Sequence, residues 1–278
     1  MSTMKKFLAD FSLNDIKALA HAAAATAVAD SVVRGLPVTT LVNGKVVQLM
    51  PDDPLIAFKA REITHYIGSA VSGPTDRRPR LNVFAGPNGA GKSTLVNYLK
   101  TQDIELDVAI NADDMARDIA NYKNEIQPSL PTQWEAAHAA ENKRLSLLNQ
   151  GASLTTETVM SDRRWLTFFE KACRAGYYIA LYVVTTSDPA INIARVADRV
   201  AKGGHAVEPE KIVSRYFKVM NDVLPDILKM VNEAIVFDNS DANNGLQVTL
   251  TLQNGVLEPN APECELPDWA KKLLLFFY

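Results

Sequence analysis

From Leu81 onward the chain alternates short apolar runs with longer stretches of mixed polarity. The runs "LNVFA", "LDVAIN", "ASLTTET", "YYIALYVVT" and "AIVFDN" read as strands. Between them lie helical patterns: the stretch after the first run, "QWEAAHAAENKRLSLLNQ", the segment after Asp162, Asp188 to Ala201, and a helix opening at Pro209. Strand–helix alternation with short connections predicts an α/β fold, a parallel sheet covered by helices on both faces. Functional residues are then expected at the carboxyl ends of the strands. The tail from Gly245 reads as a strand or hairpin followed by a docked helix.

The first eighty residues follow a different rhythm. Ser12 to Arg34 reads as a helix, with Ser12 a plausible N-cap and Gly35-Leu36-Pro37 its stop. In "VTTLVNGKVVQLM" two β-branched runs flank Asn43-Gly44, a strong hairpin signal, and Asp52 to Val71 returns to helix. "SGPTDRRPR", without an apolar side chain beyond its prolines, reads as a linker. The expected organisation is therefore a helix-hairpin-helix region over 1–80 and an α/β domain over 81–278. The first region could dock a partner or cover the site in cis. It could equally pack on the sheet and complete the core.

Composition narrows the class. A chain of 278 residues with 47% hydrophobic content can bury a large core. Its formal net charge of -3 is well mixed and advertises neither a nucleic-acid nor a membrane partner. Cys173 and Cys264 make no disulfide framework, which points to a reducing cytoplasm, and His21, His65, His138 and His205 show no metal-ligand spacing. Lys5 and Lys6 before an apolar stretch resemble a signal peptide, but Asp10, Asp15 and Lys17 interrupt it.

The chemistry concentrates in "LNVFAGPNGAGKST". Gly86-x-x-x-x-Gly91-Lys92-Ser93 matches the phosphate-binding P-loop, whose backbone N–H groups wrap the phosphates of a nucleotide such as ATP. Gly86, Pro87, Asn88, Gly89, Ala90, Gly91, Lys92, Ser93 and Thr94 form the expected cradle. Its glycines permit close approach, the Lys92 ammonium reaches the β/γ-phosphates, and the Ser93 hydroxyl ligates Mg²⁺. Without ligand, Lys92 is expected to face solvent.

A P-loop alone does not separate ATPase, GTPase and kinase. After "LDVAI" come Asn111-Ala112-Asp113-Asp114, two carboxylates where a strand opens into a helix. A carboxylate there can accept the proton of an attacking hydroxyl or hold Mg²⁺ through water; it can also simply cap the helix. Asp113 is the candidate base and Asp114 the candidate cap. Glu157, between Thr156 and Thr158, ends the next strand. It either binds substrate hydroxyls, orders the metal's water shell, or escapes to solvent. Arg195 and Arg199 share a helix face ahead of Gly203-Gly204-His205 and Arg215, where a glycine hinge could bring a lid of arginines to a transferring phosphoryl group. The alternative is a solvated helix face with Arg195 paired to an acid. No Asn-Lys-x-Asp guanine-reading motif is evident.

Taken in order, "FAGPNGAGKSTL", "INADD", "TETVMS", "AGYYIALYVV", "RVADRVAKGGHAVEPEKIVSRY" and "FDNS" resemble the zeta-toxin kinases of bacterial toxin–antitoxin systems. The resemblance runs from Leu81 to about Asn239. It implies a P-loop kinase fold akin to chloramphenicol phosphotransferase, and transfer of the ATP γ-phosphoryl group to the 3′-hydroxyl of the amino sugar of UDP-N-acetylglucosamine. Carried over by motif, Lys92 and Ser93 hold ATP and Mg²⁺, and Asp113 is the base. Asn111, Glu157 and Thr158 face the substrate, and Arg199 and Arg215 clamp the phosphates. A toxin of this kind implies restraint, by an antitoxin protein or in cis by residues 1–80. Where many relatives read Glu-Thr-Thr-Leu-Ser, this chain has Glu157-Thr158-Val159-Met160-Ser161, which removes a substrate-facing hydroxyl. Two other readings stand beside this one: a kinase of another small molecule, such as an antibiotic or nucleotide, and a nucleotide-binding interaction module without phosphotransfer.

Overall fold

A computed structural model describes residues 6–8, 11, 13–42, 45–51, 53, 78–102, 104–242 and 244–278. The expected helix over 52–71 and the linker residues 72–77 lie outside the described residues, Asp53 apart, as do Asn43 and Gly44.

Seven strands form the main sheet: β4 (Arg80–Ala85), β6 (Val108–Asn111), β7 (Leu154–Thr158), β8 (Tyr178–Thr185), β9 (Glu233–Asp238), β10 (Gln247–Gln253) and β11 (Val256–Pro259). Their spatial order is β11-β10-β9-β8-β4-β7-β6. Strands β9, β8, β4, β7 and β6 run parallel, and β10 and β11 extend the sheet antiparallel as the tail hairpin. The P-loop strand β4 is central, with β7 on one side and β8 on the other, so the chain reverses its winding at the P-loop. In open α/β sheets that switch point is where ligands sit.

Alternation along the central strands builds two cores. Leu81, Val83 and Ala85 of β4, with Ile179, Leu181 and Val183 of β8, face one layer. That layer is built from α4 (Leu130–Asn149), α5 (Arg164–Arg174), the π-turn Lys218–Val223 continuing α7 (Pro209–Phe217), α8 (Leu224–Leu228) and α9 (Asp268–Phe277). Phe84, Ala180, Tyr182 and Val184 face the other. There α2 (Lys92–Thr101) packs beside α1 (Leu13–Val33), which buries Ile16, Leu19, Ala20 and Ala23 against the same cluster. The second layer is thus completed from the first eighty residues. At about 25 cal/mol per Å² of apolar surface, such burial is a substantial share of a domain's stability.

The expected hairpin forms from β2 (Val38–Val42) and β3 (Lys45–Leu49), paired antiparallel with Val42 opposite Lys45. A short parallel pair joins β1 (Lys6–Phe7) to β5 (Ile104–Glu105). Two further helices complete the fold, α3 (Ala112–Tyr122) after β6 and α6 (Pro189–Ala201) after β8. Arg80, expected in the linker, already belongs to β4; it pairs with Glu233 at 3.1 Å and lies over the Tyr178 ring. Among the described residues no helix is long and apolar enough to cross a membrane.

Candidate active site

The chain leaves β4 at Gly86, where φ is +139° and a Cβ would sit 1.9 Å from the Val184 carbonyl oxygen of β8. Only glycine lets the loop turn this close to the neighbouring strand. Gly91, at φ +110°, caps α2, and a Cβ there would meet the Asn239 side chain at 2.5 Å. Asn239 Nδ2 instead donates to the Ala90 carbonyl at 2.7 Å. The loop is braced from its far side as well. Asn88 O accepts from Asn192 Nδ2 of α6 at 2.7 Å, and Asn88 Oδ1 accepts from Arg215 at 3.2 Å. The outcome is a rigid turn opening onto a helix N-terminus, a ready anion site.

Lys92 departs from expectation: it is only 8% exposed. Its Nζ donates to the carbonyls of Gly86 at 2.8 Å and Pro87 at 2.9 Å, folding the side chain back over the loop. Burial lowers its pKa to about 8; the Glu157 and Asp113 carboxylates pull the other way, and Arg199 and Arg215 add to the lowering. An ammonium desolvated in this manner gains most from an incoming phosphate.

The carboxylates approach from β6 and β7. Glu157 is a bridge: one oxygen accepts from Ser93 Oγ at 2.5 Å and the other from Asn111 Nδ2 at 2.9 Å. The Asn111 Oδ1 accepts from the Asp113 backbone N–H at 2.9 Å, which makes Asn111 the N-cap of α3. Asp114 is therefore not the cap expected from the sequence. It pairs with Arg117 one helical turn on, at the surface. Asp113 is exposed, in the first turn of α3, and lines the cleft. Thr158 also lines the cleft, with its hydroxyl accepting from the Met160 N–H at 3.0 Å.

The expected lid arginines divide. Arg199 and Arg215 line the cleft, Arg199 also donating to the His205 carbonyl at 2.8 Å. Arg195 also lines it, but among the described residues it donates no hydrogen bond to an acid; it donates to the Thr39 carbonyl, and burial lowers its pKa to about 10 against the opposing pull of the Asp238 and Asp198 carboxylates. Gly203 and Gly204 form the turn ending α6, with Gly204 packed against the Arg199 side chain. Lys92, Ser93, Asn111, Asp113, Glu157 and the arginines border one cleft of about 1360 Å³. That exceeds an ordinary ligand pocket of roughly 300–1,000 Å³ and leaves room for two substrates.

The zeta toxin family model matches residues 65–244. The chain belongs to the zeta toxin family. A protein of Haemophilus influenzae is 28% identical over 133 residues, covering 48% of this chain and 89% of that one. The crystal structure of AvrRxo1-ORF1 with its ORF2 partner and ATP is similar at a TM-score of 0.52 and 16% identity, covering 66% of this chain and 61% of that chain. The native complex of the same pair gives 0.54, covering 72% and 70%. These likenesses show the fold. The family rests on the model match, and the likeness to these structures is one of fold.

Every expected site residue lies inside the zeta toxin match. Sequence reasoning missed Asn192 and Asn239, whose amides brace the P-loop; an asparagine set between Ile191 and Ile193 was the available signal for Asn192, which the structure buries fully. It also missed the far wall of the cleft, where Trp134, His138, Arg144 and Trp165 of α4 and α5 face the space beyond Glu157. Arg144 stacks over Trp165, its guanidinium carbon 4.8 Å from the ring centroid.

Proposed function

We propose that this protein is an ATP-dependent kinase that phosphorylates the 3′-hydroxyl of the amino sugar of UDP-N-acetylglucosamine or a related nucleotide sugar. The observation that carries the reading is the convergence of two carboxylates, Asp113 and Glu157, on the P-loop lysine and serine. A mere nucleotide switch needs no base beside the terminal phosphate. In the transfer, the acceptor oxygen forms a bond to Pγ as the bond from Pγ to the β–γ bridging oxygen breaks, and the acceptor proton passes to an Asp113 carboxylate oxygen. Lys92 swings from the Gly86 and Pro87 carbonyls to the β/γ-phosphates. Arg199 and Arg215 offset the negative charge spread over the equatorial oxygens. Glu157, Asn111 and Thr158 position the sugar.

The hard oxygens of Ser93 and Glu157 suit Mg²⁺, which is held in such sites by few protein ligands together with phosphates and water. When bound, the ion neutralises charge on the β- and γ-phosphates. The cationic and aromatic lining by Arg144, Trp134 and Trp165 supports an acceptor that carries a diphosphate and a base. The AvrRxo1-ORF1 structure contains ATP and a protein partner. By analogy this chain takes ATP and a protein partner, and a zeta toxin's need for restraint makes that partner an antitoxin.

The test is phosphorylation of UDP-N-acetylglucosamine by the purified chain and by Asp113→Asn. The variant keeps shape and hydrogen bonding but cannot take the proton, so its rate falls by roughly 10²–10⁴ while ATP affinity survives. ATP-dependent product formation on an antibiotic or a free nucleotide, and none on the nucleotide sugar, would move the acceptor. An undiminished rate in Asp113→Asn would remove the base.

A further inference from the structure

The order of strands gives the cleft a direction. From the P-loop at the end of β4, β7 and β6 carry Glu157, Asn111 and Asp113 to one side, and β8 and β9 lead to α6 and Asn239 on the other. A triphosphate whose terminal group faces Asp113 must run its nucleoside toward α6 and the loop after β9. On that side the cleft is bordered by residues 13–50, which lie outside the zeta toxin match.

From this segment the bordering residues are Ala24, Ala27, Val28 and Ser31 of α1 with Pro37, Val38 and Thr39 at the start of the hairpin. None is charged, which suits a flat base and a ribose rather than another phosphate. The hairpin is fixed in place against the kinase elements. Thr39 Oγ1 and Gln48 Nε2 each donate to one oxygen of Asp198 at 2.7 Å, occupying both carboxylate oxygens. Arg195 donates to the Thr39 carbonyl at 3.3 Å, and the Thr40 hydroxyl accepts from the Ala242 N–H at 2.8 Å. Strand β2 is thus tied on one flank to α6 and on the other to the loop after β9. Those are the two elements that border the cleft on the nucleoside side.

We propose that α1 and the β2–β3 hairpin form the outer wall of the nucleoside subsite, so that a segment outside the family match completes the nucleotide site. The proposal rests on the P-loop binding a nucleoside triphosphate. Its ligand is the uncharged base and ribose; the phosphates are left to the P-loop.

The test compares calorimetric binding of ATP and of inorganic tripolyphosphate, both with Mg²⁺, to the full chain and to Ala27→Trp and Ser31→Trp. Each variant fills the wall from α1, one helical turn apart. Either should weaken ATP by about tenfold or more while leaving tripolyphosphate within about twofold. For variants that fail to fold, the unmodified chain supplies a second measurement. Backbone amides of residues 27–39 should gain hydrogen-exchange protection from ATP and none from tripolyphosphate. Parallel loss of both ligands, unchanged ATP binding in both variants, or tighter ATP binding would overturn the wall. So would equal affinity of the unmodified chain for ATP and tripolyphosphate. Failure of that chain to bind either ligand would instead strike the nucleotide reading itself.

Discussion

The P-loop edge and the N-terminal helix–hairpin border the same cleft, yet they are built on opposite terms. At the P-loop edge each position demands a residue type. Gly86 is required by a carbonyl 1.9 Å from where a Cβ would be, Glu157 divides its oxygens between Ser93 and Asn111, and Asn111 both caps α3 and meets Glu157. Along α1 the demand is for shape: Ala20 and Ala23 are buried in the core, and Ala27 and Ser31, one and two turns on from Ala23, face the cleft. Chemistry written in fixed types at short spacing survives as a motif. A wall written in size alone does not.

The sharpest way to break that contrast is to remove chemistry while keeping shape. Lys92→Met preserves most of the stem's packing and deletes a desolvated charge, so the variant should melt no lower than the parent. Phosphoryl transfer should nonetheless fall by about 10³ or more, because Lys92 is the one cationic side chain of the loop and the backbone N–H groups cannot replace its charge at the β/γ-phosphates. A variant that loses its fold along with its activity would mean that Lys92 serves packing, and the two regions would not differ in kind.

The converse change removes packing and keeps chemistry. Leu19 of α1 is 8% exposed in the core layer that holds Phe84 and Leu95. Leu19→Ala should cost about 2–4 kcal/mol of stability, read from denaturant unfolding, with kcat at saturating ATP within about twofold. If stability barely moves, α1 is an appendage laid on a finished domain, and the division at residue 80 gains support. If the full cost appears, residues 81–278 expressed alone should be insoluble.

How far the sequence reached follows the same line. The strand–helix alternation placed the parallel sheet, the P-loop and the strand-end carboxylates, because a parallel strand buried on both faces needs an apolar run and its carboxyl end needs a turn. It did not place Lys92 correctly. A lysine that folds back onto two carbonyls of its own loop leaves no trace in polarity patterns. Nor could spacing decide between Asp113 and Asp114 and a cap at Asn111, since Asp and Asn both cap helices well. The contact of α1 with the core was one of two open readings, for an alanine-rich helix has too faint an apolar stripe to declare which way it faces.

The lysine also gives a pH test of intermediate size. Its folded pKa of about 8 lies below the ordinary 10.5, so the unfolded chain holds more protons between those values. The stability of the free protein should therefore rise with pH across that window. Phosphate binding needs the ammonium, and a terminal phosphate is already fully ionised there, its second pKa being about 6. ATP affinity should then fall by about tenfold per unit above pH 8, with proton uptake on binding visible in buffers of different ionisation enthalpy. Lys92→Met should flatten both profiles. A flat affinity profile in the parent would place the charged lysine outside the phosphate site.

The smallest effect is expected at Asp114, and it tests the finest distinction at the P-loop edge. Asp113 and Asp114 are adjacent acids in the first turn of α3, so the helix dipole favours both. They differ in what they face. Asp113 borders the cleft and acts on Lys92, whereas Asp114 is turned to Arg117 at the surface, and the cap that might have been its structural duty is filled by Asn111. Asp114→Asn therefore removes only an exposed ion pair, a loss of about 0–1 kcal/mol. Transfer rate and ATP affinity should stay within about twofold of the parent in the assay where Asp113→Asn loses roughly two to four orders of magnitude. Equal losses in the two variants would mean that acidity at this helix start matters and position does not, and the Asp113 carboxylate would no longer be distinguished as the proton acceptor.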